Sequence, residues 1–332
     1  MIFRCKNCGG NIVYSPEKRK MCCPHCDSLD SEERVDTPAL VETYKVSCSS
    51  CGAPVDIKEH TSATRCPNCG NYFILDERVE GQFKPHLIIP FKIGKKDAQD
   101  FLKKEFLNRP FTPAGFMSMA SLEKMEGNYV PFFMYDFHSD MTYQAVGTKV
   151  RSWTSGSYRY TETSYYDVYR DMEADFSRVP VDASIAMEDG IMDLLEPYDY
   201  KQLEEHQDKY LSGFLGEKYN IGERELTPRA EAKVKSDSSE MLNATVGGYA
   251  TLTNVHETIN AVKKGVDYAL LPVWEYIYSY QGKEYKYHVN GQTGKVLGET
   301  PVAKGKVVAY GCTVFALVTI AGFLIRSLLF AL

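Results

Sequence analysis

Two stretches near the start of the chain decide how it folds: residues 5–26 read CKNCGGNIVYSPEKRKMCCPHC, and residues 48–69 read CSSCGAPVDIKEHTSATRCPNC. Each stretch holds two CxxC motifs separated by fourteen residues, and the cysteines of the two stretches are displaced by 43 positions. Paired CxxC motifs of this kind bring four thiolates to the corners of a tetrahedron around Zn²⁺. The sequence therefore predicts two structural zinc sites, with the ligands Cys5, Cys8, Cys23 and Cys26 in the first and Cys48, Cys51, Cys66 and Cys69 in the second.

Cys22 and Cys23 are adjacent, so the spacing alone does not say which of them is the ligand. The duplication indicates which one it is. The position 43 residues beyond Cys22 is an arginine, whereas the position 43 residues beyond Cys23 is Cys66. Cys23 is therefore the predicted ligand. His25 could replace a neighbouring ligand in principle, but its counterpart Asn68 is a poor one.

Disulfides are the alternative use of these cysteines. A disulfide framework is typical of secreted chains, and residues 1–4 lead straight into the first ligand with no room for a signal peptide. Zinc would also stabilise these units. Units this short bury too little apolar surface to fold alone, and zinc binding contributes about 10–16 kcal/mol to folding. With four protein ligands, neither site keeps an open position for catalysis.

The other end of the chain predicts a membrane anchor. Residues 307–325 read VVAYGCTVFALVTIAGFLI and carry no charge, and as a helix they span about 28 Å, close to the hydrocarbon thickness of about 30 Å. A buried helix of a soluble core is the alternative, but the flanking Lys304, Lys306 and Arg326 favour a membrane span. Cys312 within the span is expected to serve packing, with acylation as the alternative.

Two arguments orient the anchor. Positive residues flanking a span stay in the cytoplasm, and Lys304 and Lys306 precede it, although Arg326 weakens the bias. Reduced thiolates also need a reducing compartment. Both arguments place the bulk of the chain in the cytoplasm.

The predicted architecture is two small β zinc ribbons followed by an α+β domain and one C-terminal transmembrane helix. The ribbons are expected at residues 1–30 and 44–80, joined by an acidic linker at 31–43. The α+β core domain is expected at 85–303 and the tail anchor at 307–325.

Three helices are predicted within the core domain from apolar spacing and capping signals. The first begins at Asp97 and places apolar residues, including Phe101, on one face. The second begins near Asp199, and the third runs from Thr227 to about Leu242. Aromatic and β-branched runs predict strands at 129–143, 157–175, 270–280, 284–289 and 295–297.

Charge argues against nucleic-acid binding. The chain has a formal net charge of −6, and residues 1–80 hold ten Lys or Arg against twelve Asp or Glu, to which each zinc–tetrathiolate centre adds about −2. One basic cluster, Lys18, Arg19 and Lys20, could contact phosphate, but a solvated turn is the preferred interpretation. We therefore expect no nucleic-acid partner.

Catalytic motifs are missing from the sequence. It contains no HExxH or GxSxG, and residues 291–296 (GQTGKV) lack the spacing and the final Ser or Thr of a phosphate-binding loop. The histidines at 138, 206, 256 and 288 are scattered singly. The sequence therefore predicts a protein that is not an enzyme.

Several longer runs outside the cysteine motifs resemble a bacterial family, and the match spans essentially the whole chain. The matching runs are PFFMYD at 131–136, VPVDASIAMEDGIMDLLEPYDY at 179–200, EKYN at 217–220, LLPVW at 270–274 and NGQTGKVLG at 290–298. The family comprises membrane-anchored double zinc-ribbon proteins, chiefly of Gram-positive bacteria. Its members are often labelled as transcription-factor-IIB-type zinc-ribbon proteins or as relatives of a primosomal helicase, labels that follow the ribbons alone.

The resemblance implies a genomic neighbourhood, because such proteins tend to be encoded near flotillin-like SPFH proteins and relatives of phage-shock protein A. It therefore implies a membrane adaptor or scaffold in envelope-stress physiology that holds such a protein partner at the membrane. The alternative hypothesis is a membrane-tethered nucleic-acid-binding or regulatory protein that uses its ribbons.

Overall fold

The computed structural model describes residues 1–36, 41–42, 44–187 and 189–331. Small β units with cysteine groups form the N-terminal region, a large β-rich body follows, and one apolar helix ends the described chain. The α+β expectation holds only in part, because strands dominate the body.

The first N-terminal unit is a pair of two-stranded ladders. Strand β1 (Ile2–Cys5) pairs antiparallel with β4 (Glu32–Val35), and β2 (Val13–Ser15) pairs antiparallel with β3 (Lys20–Cys22). The amino group of Met1 is buried and donates to the Ile74 carbonyl at 2.6 Å, which joins this unit to the second.

The second unit contains five short strands: β5 (Val41–Glu42), β6 (Lys45–Ser47), β7 (Pro54–Asp56), β8 (Thr61–Arg65) and β9 (Tyr72–Ile74). Strand β8 also pairs with a strand of the body, so this unit extends the main sheet. The segment predicted as a linker contains β4, and its residues 37–40 and 43 lie outside the described residues.

Three long antiparallel strands dominate the body. They are β11 (Glu126–Ser155), β12 (Tyr158–Asp182) and β15 (Thr251–Tyr280), in the spatial order β12–β11–β15. Thirty residues of extended chain span about 100 Å, far beyond a usual strand. The shorter strands of the body are β10 (Leu87–Ile88), β13 (Glu204–Glu205), β14 (Leu215–Glu217), β16 (Lys283–Asn290) and β17 (Val296–Gly298).

Helices cover parts of this sheet. They are α1 (Lys95–Leu107), α2 (Met119–Leu122), α3 (Asp189–Leu195) and α4 (Glu223–Ala244). Helix α4 lies along one face of the long strands, where Leu242 packs with Met141 and Tyr143, and Ser238 Oγ lies 3.1 Å from Ser139 Oγ. The odd-numbered residues of β11 from 137 onward therefore face α4, and the even-numbered residues face away from it.

An aromatic cluster fills the centre of the body. Phe91 stacks on Phe214 with ring centroids 4.1 Å apart, and both rings contact Trp274. Ile12 and Met21 of the first unit belong to the same buried cluster. The first unit thus shares its hydrophobic core with the body.

The helix predicted near Asp199 is wrong. This region forms short 3₁₀ turns at Tyr200–Gln202 and Asp208–Leu211, with β13 between them. Tertiary contacts override the local signal, because β13 pairs with β10 and the Ser212 hydroxyl donates to the Ile12 carbonyl of the first unit.

The other two predicted helices exist with different details. Helix α1 buries Gln99, whose side-chain amide donates to the Leu122 carbonyl, whereas Phe101 is 40% exposed. Helix α4 begins at Glu223, four residues before Thr227. The predicted strands at 129–143 and 270–280 are parts of β11 and β15, and the one at 157–175 begins one residue before β12 and otherwise lies within it.

The C-terminal helix, α5 (Lys304–Ala331), leaves the body almost at once. Its segment Lys304–Arg326 is long and apolar enough to cross a membrane and is not buried against the body. Its first turns contact the body: Lys306 Nζ donates to the Thr112 carbonyl at 2.7 Å, and the Tyr310 ring packs against Phe111.

Candidate metal centres

The eight predicted cysteines form two compact groups. The ligand atoms within each group lie within 4.8 Å of one another. In the first group the Sγ atoms of Cys5 and Cys26 are 3.6 Å apart, and those of Cys8 and Cys23 are 3.5 Å apart. Both corresponding separations in the second group are 3.8 Å. Four sulfurs around one tetrahedral ion with bonds of about 2.3 Å lie about 3.8 Å apart, so both groups fit such an ion.

The first CxxC turn has the same backbone geometry in both groups. The amide of Gly9 donates to the Cys5 carbonyl, and the amide of Gly52 donates to the Cys48 carbonyl, both at 2.8 Å. Both glycines have positive φ, 71° and 73°, which favours glycine because it has no Cβ. These turns bring the two sulfurs of each motif to the same side.

In each group an Asn–Ser hydrogen bond connects the two CxxC turns. The asparagine is on the first turn in one group and on the second turn in the other. Asn7 Nδ2 donates to Ser28 Oγ in the first group, at 2.8 Å. In the second group Asn71 Nδ2 donates to Ser50 Oγ, at 2.7 Å. The duplication therefore preserves a contact whose donor and acceptor have changed places in the sequence.

The neighbouring polar residues occupy distinct positions. Cys22 lies outside the group that contains Cys23, with its Sγ 3.5 Å from Lys18 Nζ. His25 is also outside the group, and its ring lies against Gly10. Its counterpart Asn68 donates from Nδ2 to Cys51 Sγ at 3.6 Å.

Burial alternates within each group. The first cysteine of every CxxC motif is buried and the second is exposed. The buried members of the first group, Cys5 and Cys23, belong to the core shared with the body, while Cys48 and Cys66 anchor a separate small core. An ion at either centre would therefore join a surface loop to a hydrophobic core.

Hydrogen bonds lower the pKa of Cys5 and Cys26 in the first group and of Cys51 in the second, which favours their thiolate forms. The Ser31 hydroxyl, 3.3 Å from the sulfur, lowers the pKa of Cys5 to about 6. Hydrogen bonds from the Ala53 amide and the Asn68 side chain lower the pKa of Cys51 to about 6. Thiolates are the form that binds metal. Because four cysteines complete a tetrahedral shell, these centres suit a structural ion.

The body also contains a buried polar cluster that sequence reasoning missed. Asn128 Nδ2 donates to Glu275 Oε1 at 2.8 Å, and His288 is the cross-strand neighbour of Glu275. Among the described residues, Asn128 Oδ1 and His288 Nδ1 have no hydrogen-bond partner. Burial raises the pKa of Glu275 to about 7 and lowers that of His288 to about 4. No local motif marks these residues, because the sheet pairing alone brings them together.

This cluster predicts a pH dependence of stability. Between the unfolded pKa of Glu275, near 4.5, and its folded pKa, about 7, this carboxyl is protonated in the folded state but ionised in the unfolded state. The folded protein therefore loses stability as pH rises through this window. The loss is on the order of 3 kcal/mol, and stability is constant above that window. We expect E275Q to be more stable than the native chain at pH 8 and to lack this slope in urea unfolding.

The control is E284Q, which changes an exposed carboxyl on β16, the strand that pairs with the strand of Glu275. This variant should keep the slope of the native chain. Equal slopes for the native chain and E275Q would show that Glu275 is ionised in the folded state at pH 5–6.

Comparison with known proteins places the chain in a family. No family model matches the chain, and no solved structure matches it. The chain is similar to the uncharacterized protein YdjG of Bacillus subtilis (strain 168), with 36% identity over 314 residues that cover 93% of this chain and 92% of YdjG. A match of this length extends far beyond the cysteine motifs. The chain therefore belongs to the family of Bacillus subtilis YdjG.

Proposed function

We propose that this protein is a membrane-anchored, cytoplasm-facing zinc-ribbon adaptor that holds a protein partner at the membrane. The observation that carries the proposal is a long, acidic and uncovered sheet face on a body attached to an apolar C-terminal helix. Such a face offers a docking surface without any catalytic opening.

Zinc is the proposed ion for both centres. Tetrahedral sites of four cysteines are typical of structural zinc, and the sulfur separations of 3.5–3.8 Å suit its bond length. Iron–sulfur clusters also use four cysteines, but sulfurs around a cluster lie farther apart than sulfurs around one ion.

The proposed orientation rests on chemistry and charge. The thiols need a reducing compartment, and Lys304 and Lys306 mark the positive flank of the anchor. Both support a body that lies in the cytoplasm.

The docking surface is the acidic face, which we define as the outward carboxylates on the side of the sheet away from α4. They are Asp140 of β11 and Asp167, Asp171, Glu173 and Asp175 of β12. Cross-strand register puts all five on one face, because Asp140 is an even-numbered residue of β11 and the four carboxylates of β12 lie opposite even-numbered residues of β11. His138 lies among them, 2.7 Å from Asp175 and 3.4 Å from Asp140, and its hydrogen bond with Asp175 raises its pKa.

A partner with a basic face would meet this surface favourably. The resemblance to membrane-anchored double zinc-ribbon proteins supports a flotillin-like SPFH protein or a relative of phage-shock protein A in that role. The adaptor would then act in the response to envelope stress.

The test is affinity capture of the tagged full-length chain from detergent-solubilised membranes. We expect a protein partner to be recovered with the native chain and lost, by about tenfold or more, with the charge reversals D171K/E173K. Deletion of residues 307–332 should release both the chain and its partner into the soluble fraction.

The matched control is E225K/E240K, which makes the same charge change at exposed positions of α4, on the opposite side of the sheet. Capture should survive this change. A partner that stays at the membrane after the deletion would refute the adaptor role, and recovery of nucleic acid without a protein would favour the regulatory alternative instead.

A further inference from the structure

A groove lies where the first cysteine unit meets the body. Its cavity of about 440 Å³ is lined from the first unit by Tyr14 and Arg19 and from the body by residues 89–92 and 201–204 and by Tyr210. Cavities of this volume are typical of small-molecule sites. None of the eight cysteines lines the groove.

Three cations line the groove: Arg19, Lys92 and Lys201. Within the described part of the chain, no carboxylate forms an ion pair with any of them. The one carboxylate in the lining, Glu204, accepts a hydrogen bond from the Tyr210 hydroxyl at 2.9 Å. The groove therefore carries a net positive charge in a chain whose formal net charge is −6.

The three residues of the basic cluster, Lys18, Arg19 and Lys20, have different surroundings in the structure. Lys20 Nζ lies 2.9 Å from Asp30, and Lys18 Nζ contacts Cys22 Sγ, whereas Arg19 lines the groove. Arg19 also has a φ of 52°, in the left-handed region that non-glycine residues seldom adopt. Of the three neighbouring cations, only Arg19 is placed to meet a ligand there.

Aromatic rings form the remaining walls. Tyr14 and Tyr210 pack edge to face with centroids 5.1 Å apart, and Phe91 continues into the buried aromatic cluster. Rings beside cations suit a ligand that has both a planar apolar part and an anionic group. A guanidinium binds phosphate in a bidentate manner, and lysines bind it as point charges.

We propose that this groove binds an organic phosphate, whose phosphate group contacts Arg19, Lys92 and Lys201 and whose apolar part lies against Tyr14 and Tyr210. The ligand would connect the first cysteine unit to the body, because Arg19 comes from one and both lysines from the other. The same chemistry is available from a soluble nucleotide and from a lipid headgroup, and the experiment separates these sources.

The experiment is isothermal titration calorimetry of the full-length protein in a non-ionic detergent. The probes are ADP, pyrophosphate and dihexanoyl phosphatidylglycerol, with dihexanoyl phosphatidylcholine as the zwitterionic comparison. We expect saturable binding of at least one anionic probe, weakened about tenfold or more by R19E and by K201E.

The matched control is K18E, which makes the same charge change one residue away, outside the groove. Binding should be unchanged in K18E, and the metal content of all variants should stay equal, which shows that the first unit remains folded. Selective binding of ADP assigns a soluble nucleotide, and selective binding of phosphatidylglycerol assigns a headgroup, whereas pyrophosphate binding as tight as that of either would contradict the contact with the aromatic rings. Absence of binding by all three anionic probes, or an equal loss in K18E and R19E, would overturn the proposal.

Discussion

The C23S variant is expected to lose one of the two metal ions bound per chain, whereas C22S, one residue away, should keep both. Cys23 belongs to the first cysteine group and is fully buried in the core shared with the body, while Cys22 lies outside the group. Because metal binding contributes about 10–16 kcal/mol to the folding of small zinc domains, loss of one ligand should unfold the first unit.

This loss should also reach the body. Ile12 and Met21 pack in the central core, and the Ser212 hydroxyl donates to the Ile12 carbonyl. Unfolding of the first unit would therefore expose part of that core, so the melting temperature should fall in C23S and not in C22S. The measurements are elemental analysis of the purified chains and thermal unfolding. Two ions retained by C23S, or one lost by C22S, would contradict the ligand assignment.

The cysteine groups could be read from the sequence because their geometry is local. Each CxxC turn is fixed by a few backbone hydrogen bonds, such as the one from Gly9 to Cys5, and the spacing is repeated 43 residues later. The same holds for α5, whose apolar run alone is long enough to form a membrane span. Features of this kind need no knowledge of distant contacts.

The length of the long strands could not be read in the same way. Beyond residue 149 the β11–β12 ribbon extends past the start of β15, and most of its side chains are exposed on both faces. The β12 half of this ribbon falls within the strand predicted at 157–175, whereas residues 149–155 of β11 are exposed on both faces and have no apolar alternation to mark them. Its stability rests on cross-strand pairs such as Trp153 and Tyr160, whose rings stack 5.7 Å apart.

The centre of the sheet also depends on pairing that local patterns do not specify. Residues 129–131 of β11 pair antiparallel with residues 270–272 of β15, with Val130 opposite Leu271. Pairing of β15 with β16 places Glu275 opposite His288, and pairing of β15 with β11 brings Asn128 within hydrogen-bond distance of Glu275. The buried polar cluster and the groove between the first cysteine unit and the body are therefore consequences of topology, and no local sequence motif indicates either of them.

The R229A variant is expected to lower the free energy of unfolding by about 3 kcal/mol. Arg229 of α4 donates from Nη1 to Asp182 Oδ1 at 2.8 Å and from Nη2 to Asp193 Oδ2 at 3.0 Å, so it connects α4 to β12 and α3. The Asp182 side chain is 0% exposed. Removal of the guanidinium leaves the Asp182 carboxylate buried without that cation, and the desolvation cost is then no longer offset by the pair.

Helix α4 offers its own control for this prediction. Arg224 is exposed on the same helix, and R224A should change the free energy of unfolding by less than about 0.5 kcal/mol. Urea unfolding followed by the fluorescence of the buried Trp274 measures both variants. The lysine next to Arg229 on this surface, Lys233, contacts Asp193 at 2.8 Å and Glu196 at 3.2 Å, so it can hold α3 in part when Arg229 is absent. If R229A and R224A unfold at the same urea concentration, the ion-pair network does not stabilise the packing of α4. If R229A alone is destabilised, the network stabilises the packing of α4 against β12 and α3.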